Sequence, residues 1–353
     1  MDLREKRKWD HLKYSLELSS GPLSTGFSDL YLVHQALGTA DLDSVDTGLV
    51  LFGKKIRFPL IINAMTGGAR GLEVFNKRLA IAARECGIPL AVGSQTAAIK
   101  NPDTRKSFEI VRKMNPQGLV FANLSALIPY QQAREAVEMI EADALQLHLN
   151  LPQELAMPEG DRDFSKLEEN IYELKEKIQV PLIIKEVGFG LSRETVLKLR
   201  KMGINYVDVG GAGGTNFVAI ERVRSQGLGN EDLLTWGIPT AVSLIETLST
   251  AGEMIVFASG GINKPSDILK SLVLGAKAVG MAASLLEVIY ENEEKVLIDY
   301  LEDLFKQVKE LMLLIGTSEL KQLKKCPIII TGFVREWLEA RGINIQSYAY
   351  TRE

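Results

Sequence analysis

The sequence predicts an α/β protein folded as a (β/α)8 TIM barrel, because one unit recurs eight times: an apolar segment, a polar or glycine-rich loop and an amphipathic helix. The apolar segments are continuous rather than alternating, which is typical of parallel strands covered on both faces. Gly87, Gly203 and Gly275 stand just before such segments, where a glycine commonly ends a helix. Eight strands are the number that closes a barrel, and an open doubly wound sheet is the alternative.

Nearly all the polar clusters of the chain lie in the loops that follow the predicted strands. At the other end several strands begin with proline, which suits a strand start. Because the loops after the strands form the active site of such a barrel, the sequence places its chemistry at one end. The strands with their loops are predicted at 59–68, 89–95, 118–124, 144–150, 181–190, 205–215, 254–262 and 276–284.

Two regions flank a barrel core that is expected at 51–290. Residues 1–50 form an N-terminal extension and residues 291–353 a C-terminal helical segment, and we expect one domain to span the whole chain. Between Leu301 and Ile315 apolar residues recur at intervals of three and four, which predicts a helix that packs on the barrel.

The composition excludes several classes of protein. The chain has 353 residues, 46% of them hydrophobic, which is enough for a sizeable core. Its formal net charge of −4 provides no basic field for nucleic acid, so an anionic ligand must be bound by local groups. No apolar run reaches the roughly 18 residues of a membrane span, and the charged start lacks the apolar middle of a signal peptide, so we expect a cytoplasmic protein without a membrane partner. Cys86 and Cys326 are expected to be free thiols.

Three glycine-rich loops follow neighbouring strands late in the barrel, at 210–215, 259–261 and 280–284. Glycines let backbone N–H groups approach oxygen atoms, and a following helix N-terminus adds positive potential, so these loops suit a phosphate. One glycine pair alone could serve only a tight turn, but three on adjacent strands favour a phosphate site. The connection from 210 to 237 is also longer than an ordinary turn, which indicates a functional loop.

Polar loops after the first, second, third and fifth predicted strands complete a ring at the barrel mouth. Such a ring suits a planar cofactor such as a flavin, which takes backbone donors, amides and a cation beside its N1/O2 edge. Asn123 is the candidate amide and Lys185 the candidate cation. The alternatives are a loop-capping amide for Asn123 and a salt bridge within the barrel for Lys185.

The most unusual stretch is HLNLPQE, which places His148, Asn150, Gln153 and Glu154 at the end of the fourth predicted strand. With this stretch the sequence resembles the type 2, FMN-dependent isopentenyl-diphosphate isomerases along nearly its whole length. The motifs that carry the resemblance are RKWDH at 7–11, NAMTGG at 63–68, VGSQ at 92–95, HLN with QE at 148–154, MPEG at 157–160, KEVGFG at 185–190, GGTNF at 213–217, WG at 236–237 and SGG at 259–261.

The resemblance implies roles for individual residues. Arg7 and Lys8, with His11 and Asn150 nearby, resemble the clamp for the substrate diphosphate. Gln153 resembles the catalytic glutamine, which also contacts substrate, and His148 is a second candidate catalytic residue. Glu154 resembles the carboxylate that holds Mg²⁺ against the diphosphate. The residues implied in FMN binding are Ala64, Met65, Thr66, Ser94, Asn123, Lys185, Thr215, Ser259, Gly260, Gly261, Ala282 and Ala283.

The implied reaction of isoprenoid biosynthesis moves a double bond between isopentenyl and dimethylallyl diphosphate by adding one proton and removing another. It implies reduced FMN, with NAD(P)H as the reductant, together with Mg²⁺. The resemblance also implies a homo-oligomer, either a tetramer or an octamer.

The sequence departs from the family pattern at three positions. Gly210 stands where a serine is expected, Asn263 where relatives often have arginine, and Thr96 where some relatives have a substrate-binding arginine. We therefore expect the phosphate contacts at these positions to differ.

Two other functions remain as alternatives. An FMN-dependent barrel oxidoreductase of the hydroxyacid-oxidase or inosinate-dehydrogenase type would share the phosphate loops, but no histidine follows His148 and neither cysteine is in a barrel loop. A barrel that binds flavin or diphosphate without catalysis would not need the Gln153–Glu154 pair.

Overall fold

The computed structural model describes residues 3–18, 21–38 and 40–351. Its strands, numbered along the chain, are β1 (Leu30–Leu32), β2 (Leu49–Leu51), β3 (Lys54–Ile56), β4 (Leu60–Ile62), β5 (Leu90–Ala91), β6 (Val120–Ser125), β7 (Ala144–Leu149), β8 (Leu182–Glu186), β9 (Tyr206–Asp208), β10 (Ile255–Ser259), β11 (Ala278–Met281) and β12 (Ile328–Ile330). Its α-helices are α1 (Leu3–Glu17), α2 (Glu73–Cys86), α3 (Thr96–Lys100), α4 (Lys106–Met114), α5 (Tyr130–Met139), α6 (Leu151–Ala156), α7 (Leu167–Lys177), α8 (Arg193–Lys201), α9 (Phe217–Arg224), α10 (Thr240–Thr250), α11 (Pro265–Leu274), α12 (Ala283–Glu291), α13 (Glu294–Leu314), α14 (Leu320–Leu323) and α15 (Gly332–Ala340).

Strands β4 to β11 form a closed parallel barrel in chain order. The barrel closes where β11 pairs with β4, with Met281 opposite Ile62. Each of the eight predicted segments overlaps one of these strands, so the predicted (β/α)8 barrel is confirmed and the open-sheet alternative is wrong. Inside the barrel, Phe121, Ile183 and Phe257 are among the fully buried side chains that fill the core.

Glycines end the helices that precede several barrel strands. The backbone φ angles of Gly87, Gly203 and Gly275 are 62°, 75° and 129°, a range that favours a residue without Cβ. Each of the three follows a helix and is followed within a few residues by a strand, as the sequence predicts.

A short hairpin closes the amino-terminal end of the barrel. Strands β2 and β3 pair antiparallel, with Leu51 and Ile56 buried. Between them Phe52 packs its ring edge-on against Phe121 at 5.6 Å and Tyr206 at 5.0 Å. The hairpin therefore covers the end of the barrel opposite the polar loops.

The N-terminal extension contributes α1, a helix that the sequence analysis did not predict. It packs against α9 and α12 at the carboxyl-terminal end of the barrel. Among the described residues, no helix is both long enough and apolar enough to span a bilayer.

The predicted C-terminal helix is present as α13. It buries Leu301, Leu304, Phe305, Val308 and Met312 and packs on α2 and α11. Beyond it, β12 pairs antiparallel with β1, which joins the two ends of the chain on the outside of the barrel.

The long connection between β9 and α10 is partly helical. It contains α9 and a 3-10 turn at Glu231–Thr235. Because α9 packs against both α1 and α6, this connection brings its side chains to the barrel mouth.

Candidate functional site

A cavity of about 770 Å³ opens at the carboxyl-terminal end of the barrel. Every site residue that the sequence analysis named lines it, together with Gly210, Asn263 and Thr96. The structure therefore brings together, from α1, α6 and the strand ends, Arg7, Lys8, His11, Ala64, Met65, Thr66, Ser94, Asn123, His148, Asn150, Gln153, Glu154, Lys185, Thr215, Ser259, Gly260, Gly261, Ala282 and Ala283.

The loops after β9 and β10 approach each other so closely that only glycine fits. Gly260 and Gly261 have φ angles of 114° and 76°. A Cβ on Gly214 would lie 3.0 Å from the Cα of Gly260, and one on Gly261 would overlap the carbonyl oxygen of Gly213. The result is a cradle lined by backbone rather than by side chains.

Backbone donors of this cradle are available to a ligand. Among the described residues, no group accepts a hydrogen bond from the N–H of Gly260, Gly261 or Ala283. Ala283 is also the first residue of α12, where the helix dipole favours an anion. The arrangement fits the phosphate of a nucleotide cofactor.

His148 and Asn123 form a fixed pair on neighbouring strands, with Nδ1 of His148 2.9 Å from Oδ1 of Asn123. Burial, together with the charges of Lys185 and Lys8, lowers the pKa of His148 to about 3. The imidazole is therefore neutral at physiological pH. If its Nδ1–H donates to Asn123, its Nε2 is an acceptor for a group in the cavity. Asn123 thus bonds a side chain rather than capping a loop.

Lys185 is buried beside this pair, on β8. Its ammonium donates to the carbonyl oxygen of Glu186 at 2.7 Å, and it forms no ion pair within the part of the chain that the structure describes. The salt bridge considered as an alternative for Lys185 is therefore absent from these residues. Burial lowers the pKa of Lys185, while the charges of Asp208 and Glu186 act to raise it.

Glu186 lines the same cavity, although no role is predicted for it from the sequence. One of its oxygens accepts hydrogen bonds from the backbone N–H groups of residues 187–190. Burial raises the pKa of Glu186 to about 7, against the effect of these donors. The carboxyl group holds the KEVGFG turn in place.

The HLNLPQE stretch forms the end of β7 and the start of α6. Asn150 donates to Oε1 of Glu154 at 2.8 Å, and its amide lies 3.4 Å from Oε1 of Gln153. The second oxygen of Glu154 accepts from the backbone N–H of Asp161 at 2.8 Å. Glu154 has no ion pair among the described residues, so its negative charge is available to a cation.

A fully buried carboxylate on α9, Glu221, organises the other side of the mouth. It lies 2.6 Å from Nε2 of His11, 3.3 Å from Nε2 of Gln153, and forms an ion pair with Arg224. The hydrogen bond from His11 and the charge of Arg224 outweigh burial and hold the pKa of Glu221 below its usual value. Glu221 could not be singled out from the sequence, because FVAIERVR has the pattern of an ordinary amphipathic helix.

The two cations of the predicted clamp differ in their surroundings. Arg7 lies 3.7 Å from the carboxylate of Glu159. Lys8 donates to the carbonyl oxygen of Ser94 at 3.3 Å and forms no ion pair among the described residues. Burial and the neighbouring charge of Arg7 lower the pKa of Lys8 to about 7.

The backbone at position 210, the first departure from the family pattern, favours glycine. Its φ angle is 48°, and a Cβ there would overlap the backbone of Glu186. At another of the three departures, Thr96, the hydroxyl lies 3.2 Å from that of Ser94, at the start of α3.

Comparison with known proteins bears on the fold and the family of this chain. The family model described as FMN-dependent dehydrogenase matches residues 97–329. Solved structures with the same fold include a mandelate oxidase variant, with a TM-score of 0.68 and 17% identity over 93% of this chain and 97% of that one. A flavocytochrome b2 variant gives a TM-score of 0.67 and 19% identity over 90% and 82%.

Curated relatives are much more similar in sequence. The isopentenyl-diphosphate delta-isomerase of Bacillus licheniformis is 45% identical over 97% of this chain and 97% of the relative. The enzyme of the same name from Bacillus pumilus is 43% identical over 98% and 97%. One from Staphylococcus aureus is 40% identical over 97% and 98%. This chain therefore belongs to the isopentenyl-diphosphate delta-isomerase family, in its type 2 branch, within the FMN-dependent dehydrogenase group.

Proposed function

We propose that this protein interconverts isopentenyl and dimethylallyl diphosphate, using FMN and Mg²⁺, as a step of isoprenoid biosynthesis. The observation that carries the proposal is the juxtaposition of Gln153 and Glu154 with the cations Arg7 and Lys8 in one cavity. The reaction adds one proton to the substrate and removes another, so it requires bound diphosphate and positioned proton-transfer groups rather than a net oxidation.

Features at two parts of the cavity support FMN as the cofactor. The glycine cradle and the start of α12 offer free N–H groups to a phosphate, and Asn123 and Lys185, which line the same cavity, are the residues we propose for the ring. When bound and reduced, FMN would supply an acid-base group that a neutral glutamine cannot provide. NAD(P)H is the reductant we propose.

Glu154 is the residue we propose for Mg²⁺. The described residues contain no cluster of three or more histidine, cysteine, aspartate or glutamate side chains that could hold a metal. Mg²⁺ commonly takes one or two carboxylates and completes its shell with water and substrate phosphates. A single carboxylate facing a diphosphate site is consistent with that pattern.

The residues around the proposed substrate site provide oriented polar groups and positive charge. Gln153 is buried between Asn150 and Glu221, so its amide has a fixed direction. Neutral His148 offers an acceptor to the substrate without adding charge to a site that already contains Lys185 and Lys8. Arg7 and Lys8, on α1, bring two further basic side chains to the cavity.

The experiment that tests this function combines a spectrum with an assay. Purified protein should show the visible absorption of oxidised flavin, or acquire it on addition of FMN. Under reducing conditions with Mg²⁺ it should convert isopentenyl diphosphate into dimethylallyl diphosphate. Protein that cannot be loaded with FMN, or that oxidises 2-hydroxy acids instead, would contradict the proposal.

We expect Glu154→Gln to lower turnover and to weaken its dependence on Mg²⁺ while FMN stays bound, because the change removes a metal ligand charge and no flavin contact. The measurement is initial rate against Mg²⁺ concentration, with the flavin spectrum as the check on loading. Asp103→Asn, which changes an exposed carboxylate outside the cavity, is the matched control. Normal catalysis by Glu154→Gln at low Mg²⁺ would move the metal elsewhere.

We expect Arg7→Ala or Lys8→Ala to raise KM roughly tenfold with little change in kcat, since each removes a charged hydrogen bond of about 1.5 kcal/mol that acts in ground and transition states alike. An unchanged KM in both variants would place the clamp elsewhere.

The pKa of Lys8, about 7, adds a pH dependence. Above that pH the free protein must take up a proton to bind the diphosphate, so KM should rise with pH and level off at roughly the tenfold increase expected for Lys8→Ala. In Lys8→Arg the cation keeps its charge and this rise should disappear. Steady-state kinetics with both proteins between pH 6 and 9, a window on both sides of that pKa, measures the effect. A rise that persists in Lys8→Arg would assign it to another group.

We further propose a cytoplasmic location and a tetramer or octamer. Sedimentation of the purified protein would decide the oligomer.

A further inference from the structure

A buried carboxylate beneath the cavity has no part in the function proposed above. Asp208, at the end of β9, is 2% exposed. Its Oδ2 accepts a hydrogen bond from the amide of Asn63 at 2.8 Å, and its Oδ1 accepts from the hydroxyl of Ser259 at 2.5 Å and the N–H of Gly210 at 3.3 Å. One side chain thus connects the ends of β4, β9 and β10.

The contact with Asn63 fixes the first loop of the site. Oδ1 of Asn63 accepts from Gln146 at 3.1 Å and from the N–H of Ala64 at 2.9 Å. Because its Nδ2 donates to Asp208, the amide of Asn63 has only one orientation that satisfies all its partners. Ala64, a proposed FMN-binding residue, is held in place through this chain of contacts.

Asp208 also bears on the charge of Lys185. The two residues are opposite each other in the pairing of β8 with β9. The other groups around Lys185 are Glu186 on the same strand and His148 on β7, its partner in the pairing on the other side. Burial lowers the pKa of Lys185, and the charges of Asp208 and Glu186 raise it. His148 is neutral, so it adds no charge at physiological pH.

An isolated buried charge is costly, whereas two opposite charges stabilise each other. Asp208 does not line the cavity, but Asn63, Ser259 and Lys185 do. Asp208 must therefore act on a ligand through these three side chains.

We propose that Asp208 is a positioning residue of this site, which fixes the ends of β4, β9 and β10 and balances the charge of Lys185 so that the lysine meets the flavin as a cation. The inference rests on the proposed function, since it takes FMN as the ligand of the ring.

The test uses the FMN-loaded protein and the midpoint potential of its flavin, measured from pH 6 to 10. Reduction places negative charge near the N1/O2 edge, so the potential depends on the charge of a neighbouring lysine. The plot of potential against pH should change slope where Lys185 loses its proton. Residue 185 of K185M carries no titratable group, so the change of slope should be absent from this variant. Its absence identifies Lys185 as the group responsible.

In D208N the side chain keeps its shape and loses its charge. We expect the change in slope to move down by at least about one pH unit, because Lys185 loses its proton more easily without the neighbouring anion. In the K185M/D208N double variant the plot of potential against pH should show no such change of slope. The inference would be overturned if the change of slope occurred at the same pH in FMN-loaded D208N as in wild type. It would also be overturned if the change of slope were still present in K185M.

Two further outcomes are decisive. Wild-type protein that binds no FMN would refute the proposed function, and the inference with it, before any variant is compared.

If D208N does not fold, D208E is used in its place, because it keeps the charge but moves the carboxylate. D208E should then leave the change of slope in place and weaken FMN binding at least tenfold by displacing Asn63, and wild-type affinity in D208E would overturn the proposal.

Discussion

Replacing Gln153 by alanine is expected to lower kcat roughly 10²- to 10⁴-fold, the usual range for a group that takes part in proton transfer. Gln153 is 8% exposed, lines the cavity and has its amide between Asn150 and Glu221, so the substitution removes a positioned polar group. FMN should remain bound, because Gln153 is not among the residues proposed to contact it. The measurement is kcat of the pre-reduced enzyme, with a thermal unfolding curve of the same sample.

A glutamine that merely holds its loop would give a different result. In that case kcat would fall less than about tenfold, and the loss would appear as about 1 kcal/mol of stability, the value of one hydrogen bond. Gln322→Ala is a matched control, since this glutamine accepts hydrogen bonds from Thr317 and Ser318 far from the cavity. Near-normal turnover in Gln153→Ala would remove the residue from the mechanism.

Glu221→Ala is expected to destabilise the folded protein by about 3 kcal/mol, the lower end of the cost of breaking a buried ion pair. The change leaves His11 and Gln153 without a shared acceptor and removes one of the carboxylates around Arg224. Denaturant unfolding at saturating FMN measures it. Glu159→Ala is the control, because Glu159 also pairs with Arg224 but its side chain is 50% exposed, and it should cost no more than about 1 kcal/mol.

The stabilisation by Glu221 also has a defined pH range. The pKa of Glu221 in the folded protein is lower than the ordinary value of 4.5. Its contribution is therefore complete above about pH 4.5 and is lost as the pH falls through the folded-state pKa. The difference between wild type and Glu221→Ala should shrink below pH 4.5, and a difference that is constant down to pH 3 would contradict the assignment.

The barrel could be predicted because its strands depend on local sequence. Most of them begin shortly after a glycine or a proline and start with apolar residues, so the local sequence separates strand from helix. Helix α1 could not be predicted in the same way. This helix is stabilised by its packing over the barrel mouth, which the sequence does not reveal. The stretch around Arg7 and Lys8 is rich in charged residues, so it has no clear apolar stripe that would predict a helix.

The polar loops of the site could be located because they follow predicted strands. Glu221 and Asp208 could not be given roles, since their partners come from distant parts of the chain. His11 is 210 residues from Glu221, and Asn63 is 145 residues from Asp208. Glu186 could not be given a role either, although its donors are local, because they are backbone N–H groups and no residue type marks them in the sequence.

The hairpin that plugs the lower end of the barrel has a kinetic consequence. With Phe52 packed against Phe121 and Tyr206, the cavity has no second opening at that end. On the proposal that Arg7 and Lys8 bind the diphosphate, substrate and product both enter and leave through the open end of the barrel. The two isomers then compete for one binding site, so each is expected to inhibit the reaction of the other competitively.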